Sequence, residues 1–178
     1  MKSIGQNNRR KMSRARRLAL DGAMLCVALA LSYLESILPV WTVIPLPGVK
    51  PGLANIVVVL LVRRGYVADG AAVSFARICL SALLFGGPVS FLISLSGGAA
   101  AFAAFCLCTF AFSKFVGPLG TSVLGAAAHN IGQLAAVSLL MSPSAAAAYL
   151  PVLLLVALFT GTITGIILIL LERVKFPL

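Results

Sequence analysis

A few side chains stand out against the long apolar runs of this chain: Asp21, Glu35, Lys50, Asn55, Arg77, His129, Asn130 and Gln133. A polar group surrounded by hydrocarbon costs several kcal/mol unless it is paired or faces a cavity, so these are the residues most able to carry a function. Arg77 lies near the middle of an apolar run, with Ser74 and Ser81 at i−3 and i+4 on the same helical face. A guanidinium at that depth stays charged and must face the protein interior. Two readings stand for it: a receptor for a substrate carboxylate or phosphate, or one half of an internal ion pair with Glu35 or Asp69. Glu35 follows Ser32 and Tyr33 at the end of the first apolar run, placed to accept hydrogen bonds from a ligand or to pair with Lys50 or Arg77.

His129, Asn130 and Gln133 form the densest polar cluster. His129 and Gln133 share a helical face at i and i+4, and Gly125 and Gly132 flank it. The group either lines a ligand site or clamps two helices together by hydrogen bonds. Asn55 opens an apolar segment just after a Pro/Gly-rich loop, as a ligand contact or a cap-like structural group. Cys26, Cys79, Cys106 and Cys108 all fall in apolar runs. With a single histidine, and with Cys106 and Cys108 pointing to different faces, no metal site is expected. No cofactor is expected either.

The elements that hold these residues must be membrane helices. The chain has 178 residues, of which 61% are hydrophobic and 10% charged, and its mean hydropathy is +1.09. A soluble domain of this size could not cover so much apolar surface. The apolar runs do not alternate with period two, which argues against a barrel and leaves helices. Seven of the fourteen basic residues lie in the first seventeen positions: Lys2, Arg9, Arg10, Lys11, Arg14, Arg16 and Arg17. That block has no interleaved aromatics and runs straight into an apolar segment. It reads as a cytoplasmic anchor obeying the positive-inside rule and touching membrane lipid, not as a nucleic-acid-binding arm.

Pro and Gly punctuation divides the rest into helices at about 18–38, 51–65, 66–85, 89–113, 119–141 and 146–171. The expected fold is an all-α membrane protein, a six-transmembrane-helix bundle with both termini cytoplasmic. Residues 1–17 form a basic tail, 18–171 the membrane domain and 172–178 a short C-terminal tail. The second helix is awkward, because about fourteen residues cover roughly 21 Å, less than the hydrocarbon core. Charge bias still favours six spans. They place the tail, Arg63, Arg64, Lys114, Arg173 and Lys175 on the inside and Lys50 outside. The expected location is the bacterial cytoplasmic membrane, with multiple passes.

Four segments together resemble one family: Ser32-Tyr33-Leu34-Glu35-Ser36, Pro47 through Ile56, Leu84 through Phe91 and Ala128 through Leu134. It is the membrane family labelled "heptaprenyl diphosphate synthase component I", also called the Gx transporter family. That family is similar to the substrate-binding S components of energy-coupling-factor (ECF) transporters. The resemblance implies six helices, a ligand site toward the outer face and a first loop folded over it. It also implies a small-residue motif on the first helix, matched by Ala15, Ala19 and Ala23, that docks an ECF-type transmembrane coupling subunit carrying ATPase subunits.

The synthase label meets a chemical difficulty. Prenyl elongation holds a diphosphate through magnesium, and magnesium sites use carboxylates. The chain has only Asp21, Glu35, Asp69 and Glu172, with no two close in sequence. The sequence therefore predicts no enzyme. Its leading reading is a substrate-capture subunit of a small-molecule importer, for an anionic or polar ligand. The site would be walled by the first, third and fifth helices and covered by residues 40–50. Arg77, Lys50 and His129 would meet the ligand's anionic part, and Glu35, Asn55, Asn130 and Gln133 would orient it, with Trp41 and Tyr33 placed to stack on a ring. The alternative is a non-catalytic accessory component of heptaprenyl diphosphate synthesis.

Overall fold

The computed structural model describes residues 13–37, 50–140 and 143–174. Trp41 and most of the expected covering segment lie outside the described residues, as do positions 1–12 of the basic tail. Among the described residues seven α-helices follow one another: α1 (Arg14–Ile37), α2 (Asn55–Arg63), α3 (Val67–Ser81), α4 (Gly87–Phe110), α5 (Pro118–Leu140), α6 (Pro143–Ala148) and α7 (Leu150–Arg173). A π-helical turn, Ala82–Gly86, joins α3 to α4. No strand occurs among the described residues.

Among the described residues four continuous helical stretches are long and apolar enough to cross a bilayer: Arg14–Ile37, Val67–Phe110, Pro118–Leu140 and Leu150–Arg173. The second of these is a hairpin. Gly87 adopts φ +76°, a left-handed conformation that glycine supplies without strain. Beyond it α4 doubles back, so that Gly98 rests against Ile78 and Ser74 of α3.

The expectation of six full-length helices is corrected at α2. This helix has nine residues, roughly 13 Å of rise, which cannot cross a hydrocarbon core about 30 Å thick. It starts late for a local reason. Pro51 has no N–H to give, Gly52 sits at φ +88°, and the Lys50 backbone is bonded elsewhere, as described below. What α2 lacks in length it makes up in burial: every residue from Asn55 to Val62 is buried. A helix apolar all round belongs inside a bundle. Ile56, Val57 and Leu61 pack toward α1 and α3 with Ala28, Tyr66 and Val73. On the opposite side, Val58, Val59, Leu60 and Val62 meet Ala101, Phe105 and Leu168 of α4 and α7.

α1 also departs from expectation, beginning at Arg14 instead of near Leu18. Arg14, Arg16 and Arg17 are exposed there, and long basic side chains at a helix end keep their charge in water while the backbone remains helical. Gly161 and Gly165 of α7 let α5 approach closely, for they lie against the backbones of Val123 and Leu119.

Ion pairs fix one end of the bundle. The Arg17 guanidinium donates to Asp69 at 2.7 Å, and that of Arg63 donates to Glu172 at 2.6 Å. Arg63 also reaches Thr121 at the start of α5, and Arg64 donates to the carbonyls of Leu171 and Val174. The start of α1 and the end of α7 therefore lie at the same end of the bundle, which we call the Arg63 end.

Candidate functional site

At the other end of α2 the bundle holds a polar cluster assembled from five elements. Ser32 and Glu35 come from the last turns of α1. Lys50, Gly52 and Asn55 come from the entry to α2, Arg77 from α3, Gly97 from α4, and His129 and Gln133 from α5. Ser32, Glu35, Asn55, Arg77, His129 and Gln133 are all buried, none more than 5% exposed.

Arg77 is the centre of this group. One guanidinium arm donates to Ser32 Oγ at 3.1 Å and the other to Asn55 Oδ1 at 3.3 Å, while Nε has no partner in the protein. Ser81, on the same helical face, donates instead to the Ile78 carbonyl. Nor is Arg77 consumed in an ion pair. Asp69 is taken by Arg17 at the Arg63 end. Glu35 accepts from the Ala54 amide at 3.3 Å through Oε1, and its Oε2 is unpartnered. A guanidinium and a carboxyl group thus sit buried in one cluster, each held by neutral dipoles. Every such orphaned atom calls for a reason, because leaving a buried polar group unmet costs about 1–3 kcal/mol, more when it is charged.

Gln133 and His129 meet the same cluster from α5. With its amide oriented so that every group pairs, Gln133 accepts from the Lys50 N–H at 3.3 Å and donates to the Lys50 carbonyl at 3.2 Å. Its oxygen also accepts from His129 Nε2 at 3.0 Å. That bond puts the proton on Nε2 and leaves Nδ1 as an acceptor, and Nδ1 has no partner. Two glycines make the approach possible. A Cβ on Gly52 would lie 3.1 Å from both Asn55 Nδ2 and His129 Cδ2, at a φ that side chains rarely adopt. On Gly97 it would lie 2.6 Å from Gln133 Cγ and 3.0 Å from His129 Cε1.

The Lys50 side chain reaches the ring of Phe85 in the π-helical turn. Its ammonium sits 5.3 Å from the centroid of Phe85, a cation–π contact. The Phe85 ring in turn meets Tyr33 edge-on at 5.7 Å. Burial lowers the basicity of this ammonium; Glu35 opposes the effect and Arg77 adds to it. Tyr33, expected to stack on a ligand ring, is half exposed and occupied with Phe85.

Asn130 does not join the cluster. It points toward α7 and donates to the Leu153 carbonyl at 2.8 Å, so of the two readings of the polar trio the helix clamp describes Asn130. Sequence reasoning named most of the other members but missed three contributors. Ser32 was visible only as a neighbour of Glu35. Gly52 and Gly97 belong to Gly-containing pairs whose partners are distant in sequence. Ala15, Ala19 and Ala23 line the exposed side of α1. Among the described residues no three His, Cys, Asp or Glu side chains gather as a metal site.

This architecture is that of a multi-pass α-helical membrane protein with a charged cluster enclosed in its interior. The chain matches the family model of heptaprenyl diphosphate synthase component I over residues 24–171, and it belongs to that family. No curated protein and no solved structure matches it.

Proposed function

We propose that this chain is a non-catalytic membrane component of heptaprenyl diphosphate synthesis, acting beside a separate catalytic subunit. The family match over residues 24–171 carries the reading. The placement of the acids supports the non-catalytic part. Asp69 and Glu172 are paired to arginines at the Arg63 end, and Glu35 is buried at the far end of α2. Among the described residues these acids gather with no other His, Cys, Asp or Glu side chains into a group of three that could hold the magnesium of a diphosphate complex. The basic Arg63 end, with Arg14, Arg16, Arg17, Arg63, Arg64, Lys114 and Arg173, is assigned to the cytoplasm of a bacterium by the positive-inside rule. A soluble catalytic partner would meet the protein there, with the exposed Ala15, Ala19 and Ala23 side of α1 available for a membrane-embedded one. The test is purification of the full chain from its native membrane under mild detergent. Co-purification of a prenyltransferase, and a fall in heptaprenyl product on deletion, are expected. An unchanged product level on deletion overturns the reading.

A second reading is favoured by one observation, the three orphaned atoms Arg77 Nε, Glu35 Oε2 and His129 Nδ1. Donors and acceptors left unmet in one cluster suit capture of a small anionic or polar molecule, with Glu35, Lys50, Asn55, Arg77, His129 and Gln133 around it and Asn130 holding α5 from behind. Under this reading the chain resembles an ECF S component, and the co-purifying partner is a coupling subunit with ATPases. A retained small molecule in native mass spectrometry, lost in Arg77→Ala, is its expected signature.

A further inference from the structure

Behind Asn55, on the side turned away from Arg77, α2, α4, α5 and α7 enclose a cavity. It is lined by Gly52, Asn55, Val59, Phe105, Ser122 and Thr164 together with Ile56 and Ala126, and about 10 Å³ of it is open to a water's centre. That is about the room one water needs, and a water also needs two to four polar partners to stay. Two lining groups are buried donors without a protein partner, Asn55 Nδ2 and Ser122 Oγ. A third, Thr164, sends its hydroxyl proton to the carbonyls of Thr160 and Gly161 and keeps a lone pair to accept with.

We infer that this cavity is a binding site for one internal water, which accepts from Asn55, exchanges a hydrogen bond with Ser122 and donates to Thr164. The chemistry of the walls selects water over a metal cation. Asn55 has turned its oxygen to Arg77, so it shows the cavity the hydrogens of its amide, and those repel a cation. An apolar guest is disfavoured because it leaves two buried donors unmet. The water has a consequence for the cluster. An Asn amide can sit either way round, and here only one way presents an oxygen to the guanidinium. A water accepting from Nδ2 locks that orientation, which makes Ser122, on α5, a positioning residue for Arg77, acting through the water and Asn55. The inference does not depend on either reading of the protein's function.

X-ray hydroxyl-radical footprinting of the purified full chain tests it, because radicals made from bound water label the side chains beside that water. Phe105 is 2% exposed and lines the cavity, whereas Phe115, 86% exposed, is the bulk-solvent control. Phe105 is expected to be labelled in the native protein, and that labelling is expected to vanish in Ala126→Val, which fills the cavity. Ser122→Ala keeps the space and removes a partner; it is expected to reduce the labelling and to move the side-chain amide resonance of Asn55 in protein labelled with 15N asparagine. An unlabelled Phe105 beside a labelled Phe115 overturns the proposal. So does an Asn55 resonance indifferent to Ser122→Ala, and if Ala126→Val does not fold, the Ser122→Ala pair of readouts decides alone.

Discussion

The two ends of α2 treat the same kinds of charge in opposite ways. At the Arg63 end Arg17, Arg63 and Arg64 each meet an acid or a carbonyl directly, at 2.6 to 3.0 Å in the closest contacts, and the paired acids keep some access to solvent. At the Asn55 end Arg77 and Glu35 are almost fully enclosed, and each is met by neutral groups while an atom of each goes unmet. A pair near the surface gains little because water already solvates it. A charge in the interior is costly to bury, and a protein has a structural reason to finish the job by direct pairing. Where a buried guanidinium and carboxyl group are kept unfinished, the residual valence is available for something else. The Arg63 end therefore reads as fastening, and the Asn55 end keeps the unmet groups on which the proposed capture of a small molecule rests.

Arg77→Met breaks this contrast most severely. It takes a cation from beside the buried Glu35 and leaves Ser32 Oγ and Asn55 Oδ1 without their donor, and an expected loss of about 1–3 kcal/mol for each group left unmet follows. Reversible unfolding in micelles measures it, and adding Glu35→Gln should recover part of it. A loss at the scale of a surface pair, about 1 kcal/mol or less, would make the two regions alike. Gln133→Leu comes next. It strips both backbone partners from Lys50, costing about 1–3 kcal/mol for the groups left unmet, and hydrogen exchange at residues 50–53 should accelerate.

Substitutions at the Arg63 end should be milder. Arg63→Gln should cost about 1 kcal/mol or less, with a cost that shrinks as salt is raised. Arg17→Gln should be the smallest change, a few tenths of a kcal/mol at most, because the Arg17 side chain is 46% exposed. A comparison of the two sets of variants at low and high ionic strength sharpens the picture. The interior variants should be nearly insensitive to salt.

Much of this was legible in the chain itself. Hydropathy and Pro/Gly punctuation placed α3, α4, α5 and α7 to within a few residues, because in lipid the backbone has little alternative to helix. The scarcity of charge pointed to Glu35, Arg77 and His129, since hydrocarbon makes such residues rare unless something requires them. Other features depend on contacts that no local pattern encodes. Ser32 and Arg77 are 45 positions apart, so their bond exists only after α1 and α3 pack. α2 was read too long because the Gly52 conformation and the grip of Gln133 on Lys50 are tertiary effects. Asn130 was grouped with His129 by proximity, although neighbours on a helix point about 100° apart, and the i, i+4 rule already favoured His129 with Gln133 alone.

The fifth helix is stitched on two sides at nearly one level, to the Lys50 backbone through Gln133 and to the Leu153 carbonyl through Asn130. A rotation about its own axis that relaxes one stitch strains the other. Held this way, the helix is fixed in rotation about its own axis more firmly than either contact would fix it alone.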